Sequence, residues 1–261
     1  MKKSEIRYKY IYGPVSSWRL GSSLGIDPIS GKNKICTFNC AYCQLKETDV
    51  FNSERKIFVP TAAVIEEIKS LPDLKIDYIT FSGRGEPTLA KNLGEMISEI
   101  KKIRKEKVAL ITNASLMDRK DVREDILLAD FVMAKLDACS EELFKKINKP
   151  MPGITFDKVL GSIKSFKSEY KGRLALQFMF IEENKDCAED LARIAREIKV
   201  DEVQINTSLR PCAVKPLPKQ ELDKIKKYFE DMNIFYVYET EKKKVDSISK
   251  EDTLLRRGKR G

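Results

Sequence analysis

Cys36, Cys40 and Cys43 form a C-x3-C-x2-C run in a chain of 261 residues that contains no histidine. Three thiolates on a tight loop can hold three irons of a [4Fe-4S] cluster and leave the fourth iron open to a substrate or cofactor. A structural zinc site is the alternative. Closed zinc sites take four ligands, usually as two close pairs of Cys or His, and the remaining cysteines, Cys139, Cys187 and Cys212, stand alone. The missing histidine removes Ser-His-Asp triads, Cys-His pairs, HExxH zinc sites and any imidazole base. Carboxylate, lysine, thiol, tyrosine or cofactor chemistry remains.

Such a loop needs a frame, and the rest of the chain alternates short apolar runs with helical patterns, the signature of repeated β-α units and a parallel sheet. Strands are expected at Ser23 to Ile26, Ile76 to Phe81, Val108 to Thr112, Phe131 to Leu136, Leu174 to Phe180 and Glu202 to Ile205. Between them, apolar residues recur at helical spacing: Val64, Ile65, Ile68 and Leu71; Leu93, Ile97, Ile100 and Ile103; Phe156, Val159, Ile163 and Phe166; Leu191, Ile194, Ala195 and Ile198. Six units predict an α/β protein built as a partial (β/α)6 barrel of the TIM type. A short C-terminal α/β extension follows, with a helix over Gln220 to Asp231 and a strand over Ile234 to Tyr238. The expected division is an N-terminal loop segment, 1–22, the partial barrel, 23–215, and the extension with a basic tail, 216–261. Folds of this kind place their chemistry at the C-terminal ends of the strands.

Composition agrees with one main domain of ample core. Hydrophobic residues make up 42%, and no run approaches the roughly 20 apolar residues that span a bilayer. Met1 to Tyr10 is charged and lacks the apolar segment of a signal peptide, so a cytoplasmic protein with no membrane partner is expected. The net charge of +9 is compatible with a nucleic-acid partner, although runs such as Glu66 to Lys69 and Glu99 to Lys107 read as solvated helix faces. The stretch from Glu239 to Gly261 is polar and ends in Arg256-Arg257-Gly258-Lys259-Arg260. It is either a frayed tail or a basic arm.

The second expected strand runs into Ser82-Gly83-Arg84-Gly85-Glu86-Pro87-Thr88. Its glycines let backbone approach a ligand, Glu86 offers a carboxylate to a cationic group, and Pro87 fixes the turn. Alone this is a strand-to-helix turn. One β-α unit downstream of the cysteine run, it makes the chain resemble the radical S-adenosylmethionine (radical SAM) superfamily. The resemblance implies that Cys36, Cys40 and Cys43 hold a [4Fe-4S] cluster, that Tyr42 lies beside the cofactor, and that Gly83, Gly85, Glu86 and Pro87 line the methionine end of S-adenosylmethionine. It also implies that reduced flavodoxin or ferredoxin supplies an electron and that a 5′-deoxyadenosyl radical removes a substrate hydrogen. Other strand ends carry Thr112 and Asn113, Lys135 and Asp137, and Gln204 and Asn206. These are candidate cofactor contacts by position, with loop capping as the alternative.

Within the superfamily the chain bears a closer resemblance to the wyosine-type tRNA-modifying enzymes. That similarity rests on Gly85-Glu86-Pro87-Thr88, Thr112-Asn113-Ala114, Lys135-Leu136-Asp137-Ala138 and Lys145-Lys146-Ile147-Asn148-Lys149-Pro150. The wyosine-forming enzymes carry further upstream cysteines, whereas this chain has none before Cys36 and reads Tyr12-Gly13-Pro14-Val15-Ser16-Ser17-Trp18-Arg19-Leu20-Gly21 there. That segment is expected as a Gly/Ser-rich loop, with Trp18 in the core or near the site. After the sixth strand come Ser208, Arg210 and Cys212. Cys212 is either a hydrogen-atom donor to a product radical, an auxiliary-cluster contact or an inert thiol, and Arg210 a grip for carboxylate or phosphate. Three readings stand: a radical enzyme acting on tRNA, one acting on a protein or peptide such as a glycyl-radical activase, and a non-catalytic metal protein that binds nucleic acid.

Overall fold

The computed structural model describes residues 8–240 and 243–257. In chain order the strands are β1 (Ile11–Ser17), β2 (Gly21–Ile26), β3 (Ile35–Cys36), β4 (Val50–Phe51), β5 (Tyr78–Phe81), β6 (Lys107–Thr112), β7 (Phe131–Lys135), β8 (Arg173–Phe180), β9 (Glu202–Thr207) and β10 (Ile234–Tyr236). The helices are α1 (Thr61–Lys69), α2 (Leu93–Ile103), α3 (Lys120–Ile126), α4 (Glu141–Asn148), α5 (Phe156–Glu169), α6 (Ala188–Ile198), α7 (Lys219–Lys226) and α8 (Lys250–Arg257). One sheet runs β1-β2-β5-β6-β7-β8-β9-β10, curled into a half-barrel, and β3-β4 form a separate two-stranded ladder. From β2 to β10 every neighbour is parallel, and only β1 is antiparallel to its partner.

Side-chain alternation sorts each strand between two environments. On β8, Leu174, Leu176, Phe178 and Phe180 point to the helices and join the main core, while Ala175 faces into the curl with Leu20, Ala109, Phe131 and Met133. Phe178 and Phe180 pack against Phe229, at centroid distances of 5.5 and 6.4 Å. Above this apolar floor the inward positions turn polar: Lys135 is registered with Gln177, and Gln177 with Gln204. Helices α4 and α5 start where Ser140 and Thr155 accept hydrogen bonds from the N–H of Leu143 and Lys158.

All six expected barrel strands are present, within two residues at each end. Two expectations differ. The Gly/Ser-rich segment expected as a loop folds as β1 and its hairpin, because Ser17 accepts from the N–H of Leu20 across the turn and Tyr12 packs over Gly25 and bonds Ser82 at 2.6 Å. The polar tail holds α8, laid against β1 through a Gly13–Ser249 bridge and an Ile248 N–H to Gly13 carbonyl bond of 2.6 Å. Arg256 is buried instead of displayed. Its guanidinium lies 3.5 Å from the buried Asp27 carboxylate and reaches the hydroxyl of Ser30 at 2.9 Å. Gly258, Lys259 and Arg260 of the basic arm lie outside the described residues.

Burial pushes the Asp27 carboxyl from 3.8 up to about 6, against the opposing pull of Arg256. The folded state therefore holds a proton that the unfolded chain has lost between these values. Stability from this group is full below about pH 4 and is lost as pH rises through 6, by about 3 kcal/mol in all. Asp27→Asn should flatten that part of the profile in thermal melts taken across the window. An unchanged slope in the variant would contradict the assignment.

Candidate active site

Cys36 closes β3, and β3 is held by the strand-to-helix turn after β5. The Ile35 N–H donates to the Arg84 carbonyl at 3.3 Å, and the Glu86 N–H donates to the Ile35 carbonyl at 3.2 Å. A side chain at Gly85 would put its Cβ 1.7 Å from the Ile35 carbonyl oxygen, so only glycine allows this approach. Gly83 has φ of +139° and sits against the Asp27 carboxyl, where a Cβ would come within 2.4 Å. The far side of the cysteine loop rests on the end of α4: Asn39 N–H donates to the Asn148 carbonyl at 3.0 Å and Ala41 N–H to that of Ile147 at 2.8 Å. Cys40 and Cys43 are joined by a backbone turn of 3.0 Å.

Glu86 is 2% exposed and, among the described residues, faces no cation at hydrogen-bond distance. Its Oε1 accepts from Thr88 N, Thr88 Oγ1 and Thr112 Oγ1 at 3.1, 2.7 and 2.6 Å, and its Oε2 accepts from Asn113 N at 2.7 Å. Burial raises its pKa while these four donors oppose the rise. Pro87 opens the short 3-10 turn that follows. Arg55 fixes that turn from below, donating to the carbonyls of Thr88 and Ala90 at 2.9 and 2.8 Å and pairing with Asp121 and Asp125 of α3. Asn113 continues the network to the cysteine loop, donating to Thr37 Oγ1 at 2.8 Å and to Cys36 Sγ at 3.7 Å.

A second network covers Cys40. Tyr42 donates its hydroxyl to Asp137, whose other oxygen accepts from Met179 N–H at 2.7 Å. Lys135 Nζ lies 3.7 Å from the same carboxylate and 4.5 Å from the Tyr42 ring centre. The Asn148 amide reaches Asp137 at 3.1 Å, the Tyr42 hydroxyl at 3.3 Å and Cys40 Sγ at 3.6 Å, and its own oxygen is buried without a partner. Burial pushes the Cys36 thiol up to about 12, helped by Glu86 and Cys40. It raises Cys40 as well, with Lys135 pulling the other way. Bare thiols here stay protonated, and a bound cation would make them thiolates.

The remaining expected residues divide into two groups. Gln204 is fully buried, donating to Glu202 at 2.7 Å and accepting from Gln177 at 3.2 Å, below the cysteine loop. Asn206, one layer higher, is registered with Met179. Cys212 donates to the Val214 carbonyl at 3.2 Å and packs in the same apolar patch as Tyr42 and Cys40. Arg210 instead turns to α8, donating to the Arg257 carbonyl at 3.0 Å.

The three-cysteine loop, the Gly-Glu-Pro turn and the polar strand ends thus converge on one end of a half-barrel, and residues 33–195 match the radical SAM superfamily. The chain belongs to that superfamily. It is 42% identical over 211 residues to the UPF0026 protein slr1464 of Synechocystis sp., covering 80% of this chain and 78% of that one. It is 37% identical over 265 residues to a protein named GTPase Obg from Brachyspira hyodysenteriae, covering 97% of this chain but 39% of that much longer relative. Among solved structures, TYW1 with a lysine-pyruvate adduct bound superposes with a TM-score of 0.64 at 19% identity, over 81% of this chain and 74% of that one, a likeness of fold. Radical SAM enzymes hold a [4Fe-4S] cluster and S-adenosylmethionine.

The residues present fit such a cluster. Its three thiols lie on one loop, and amide N–H groups of Asn113 and Asn148 point at two of the sulfurs, as hydrogen bonds to cluster thiolates do. Among the described residues no three of Cys, Asp and Glu converge on a single-ion site. Zinc would need its thiolates about 3.8 Å apart, whereas a cluster takes each on a different iron. Asn148, Arg55, Thr37 and Asp27 escape a reading of the sequence, since each acts through partners far along the chain, such as Cys40 for Asn148, Thr88 for Arg55, Asn113 for Thr37 and Arg256 for Asp27. Only Asn148 had a signal, its place in the Lys145–Pro150 motif. Asn148→Leu should keep the fold and weaken cluster retention by about 10- to 100-fold, read as iron left per chain after exposure to a chelator. Iron retention equal to wild type would remove Asn148 from the centre.

Proposed function

We propose that this radical SAM enzyme acts on a base of tRNA. The observation that carries the reading is the assembly, around Cys40 and Tyr42, of the two segments that resemble the wyosine-type enzymes. Lys135 and Asp137 come from the first and Asn148 from the second. The net charge of +9 supports a polyanionic partner. Here Cys36, Cys40 and Cys43 hold the cluster. Tyr42, Gly83, Gly85, Glu86 and Pro87 shape the methionine end of the cofactor site, with Glu86 acting through the turn it ties down. Thr112, Asn113, Lys135, Asp137, Gln204 and Asn206 offer the polar contacts to the rest of S-adenosylmethionine, and Cys212 faces the substrate, which Arg210 reaches by leaving the Arg257 carbonyl. When bound and reduced, the cluster and S-adenosylmethionine supply a 5′-deoxyadenosyl radical for hydrogen abstraction. The apolar floor of Leu20, Phe131 and Met133 and the core behind it keep water from that chamber. The reaction needs an electron donor, for which reduced flavodoxin or ferredoxin is suited, and a cytoplasmic setting keeps its thiols reduced.

No helix among the described residues is long and apolar enough to cross a membrane. The test is to incubate reconstituted enzyme, S-adenosylmethionine and reductant with tRNA from cells lacking the gene, and to compare digested nucleosides by mass spectrometry. A nucleoside mass shift that requires S-adenosylmethionine and is absent with Cys43→Ala is expected. Unchanged tRNA nucleosides, with hydrogen removed from a peptide substrate instead, would overturn the tRNA reading and favour a peptide-modifying enzyme.

A further inference from the structure

Arg256, in the last turn of α8, has a buried side chain, and the groups it touches back the turn after β5. Two paths lead there. On the first, its guanidinium lies 3.5 Å from the carboxylate of Asp27, which is fully buried at the exit of β2 and packs against Gly83, where a Cβ would come within 2.4 Å of it. On the second, it sits 5.9 Å from the ring centre of Tyr12, whose hydroxyl bonds Ser82 Oγ at 2.6 Å. Arg256 also donates to the Lys9 carbonyl and, at 2.9 Å, to the hydroxyl of Ser30, and so fixes the short loop that follows Asp27. That loop holds the rest of the turn: a Cβ at Gly85 would meet Ile29 Cδ1 at 2.6 Å, and the Gly31 carbonyl accepts from Arg84 Nη1 at 2.8 Å. Every residue from Ser82 to Gly85 therefore leans on a group that Arg256 touches or anchors. Among the described residues no donor reaches an Asp27 oxygen in good hydrogen-bond geometry, and Arg256 is the first of the groups that oppose the cost of its burial. Removing that cation would strand a buried carboxylate against Gly83.

We propose that Arg256 is a positioning residue for S-adenosylmethionine: through Asp27 and Tyr12 it holds the Ser82–Gly85 turn in its binding geometry, so that the docking of α8 on β1 sets the affinity for the cofactor. The helix is brought to that place by the Gly13–Ser249 bridge, by the Ile248 N–H to Gly13 carbonyl bond and by a bond of 3.1 Å from the Gly13 N–H to Thr253 Oγ1, all on the strand that carries Tyr12. Groups placed this way make no contact with the ligand, yet their loss lowers affinity because the groups that do make contact lose their support. The inference deepens the reading of that turn as the methionine end of the cofactor site, and it rests on that reading.

The test is anaerobic titration calorimetry of the reconstituted, unreduced protein with S-adenosylmethionine, expressed per bound cluster, so that no radical step enters. Arg256→Gln is expected to raise the dissociation constant about tenfold, and Arg256→Lys, which keeps the charge, to recover part of that loss. Asp27→Asn added to Arg256→Gln should cost less than the product of the two single losses, since both act on one path. Hydrogen exchange in the peptide spanning Ser82 to Thr88 should quicken in each weakened variant. If Arg256→Gln does not fold, Tyr12→Phe, which removes only the bond to Ser82, carries the test, with an expected rise of about two- to fivefold. Glu86→Ala, which unties the turn directly, is the control. Weaker binding by Glu86→Ala with wild-type affinity in the tested variant, or a lowered melting temperature as that variant's only change, would overturn the positioning role and leave the turn as the methionine site. Wild-type affinity in both would sink the methionine reading and the proposal with it.

Discussion

The site depends on one buried carboxylate held by four neutral hydrogen-bond donors. Glu86 takes four hydrogen bonds from Thr88, Thr112 and Asn113, and so locks the turn after β5 to the end of β6. The same turn, through Gly85, lies flat on the Ile35 carbonyl and sets where Cys36 must stand. Removing one partner of such a network leaves a desolvated group unsatisfied, at a cost of about 1–3 kcal/mol. Cluster geometry and sheet geometry are thereby coupled. A shift of β6 against β5 is felt at the first cysteine.

The opposite wall is built on the same logic with different groups. Asp137, just past β7, receives Tyr42, Asn148, Lys135 and the Met179 backbone, and so joins the cysteine loop to α4 and β8. The loop is short and has little structure of its own, yet it is gripped on both sides. Such support is what holds a reactive centre in one geometry. The apolar floor below supplies rigidity and the polar layer above supplies contacts, an arrangement that strand alternation alone can produce.

Most of the frame was legible because the barrel strands are apolar runs of ordinary length and their helices carry clean stripes at helical spacing. The cysteine loop stands out because cysteine spacing is local. What escaped has a physical reason in each case. β1 contains Gly13, Pro14 and two serines, so its local preference is for a turn, and pairing with β2 overrides it. α8 is short and polar, and it is docked through contacts to β1 and through Arg256 beside Asp27, 229 positions earlier, which no local pattern records. Arg55 reads as one more surface charge until its carbonyl partners at Thr88 and Ala90 are seen.

In a radical SAM enzyme this loop would carry the cluster that cleaves S-adenosylmethionine. Anaerobic reconstitution with iron and sulfide, reduction with dithionite and addition of S-adenosylmethionine should give 5′-deoxyadenosine with the wild-type chain and none with Cys40→Ala. Zinc in place of iron, with no 5′-deoxyadenosine from either protein, would contradict the account and leave a metal-stabilised binding protein.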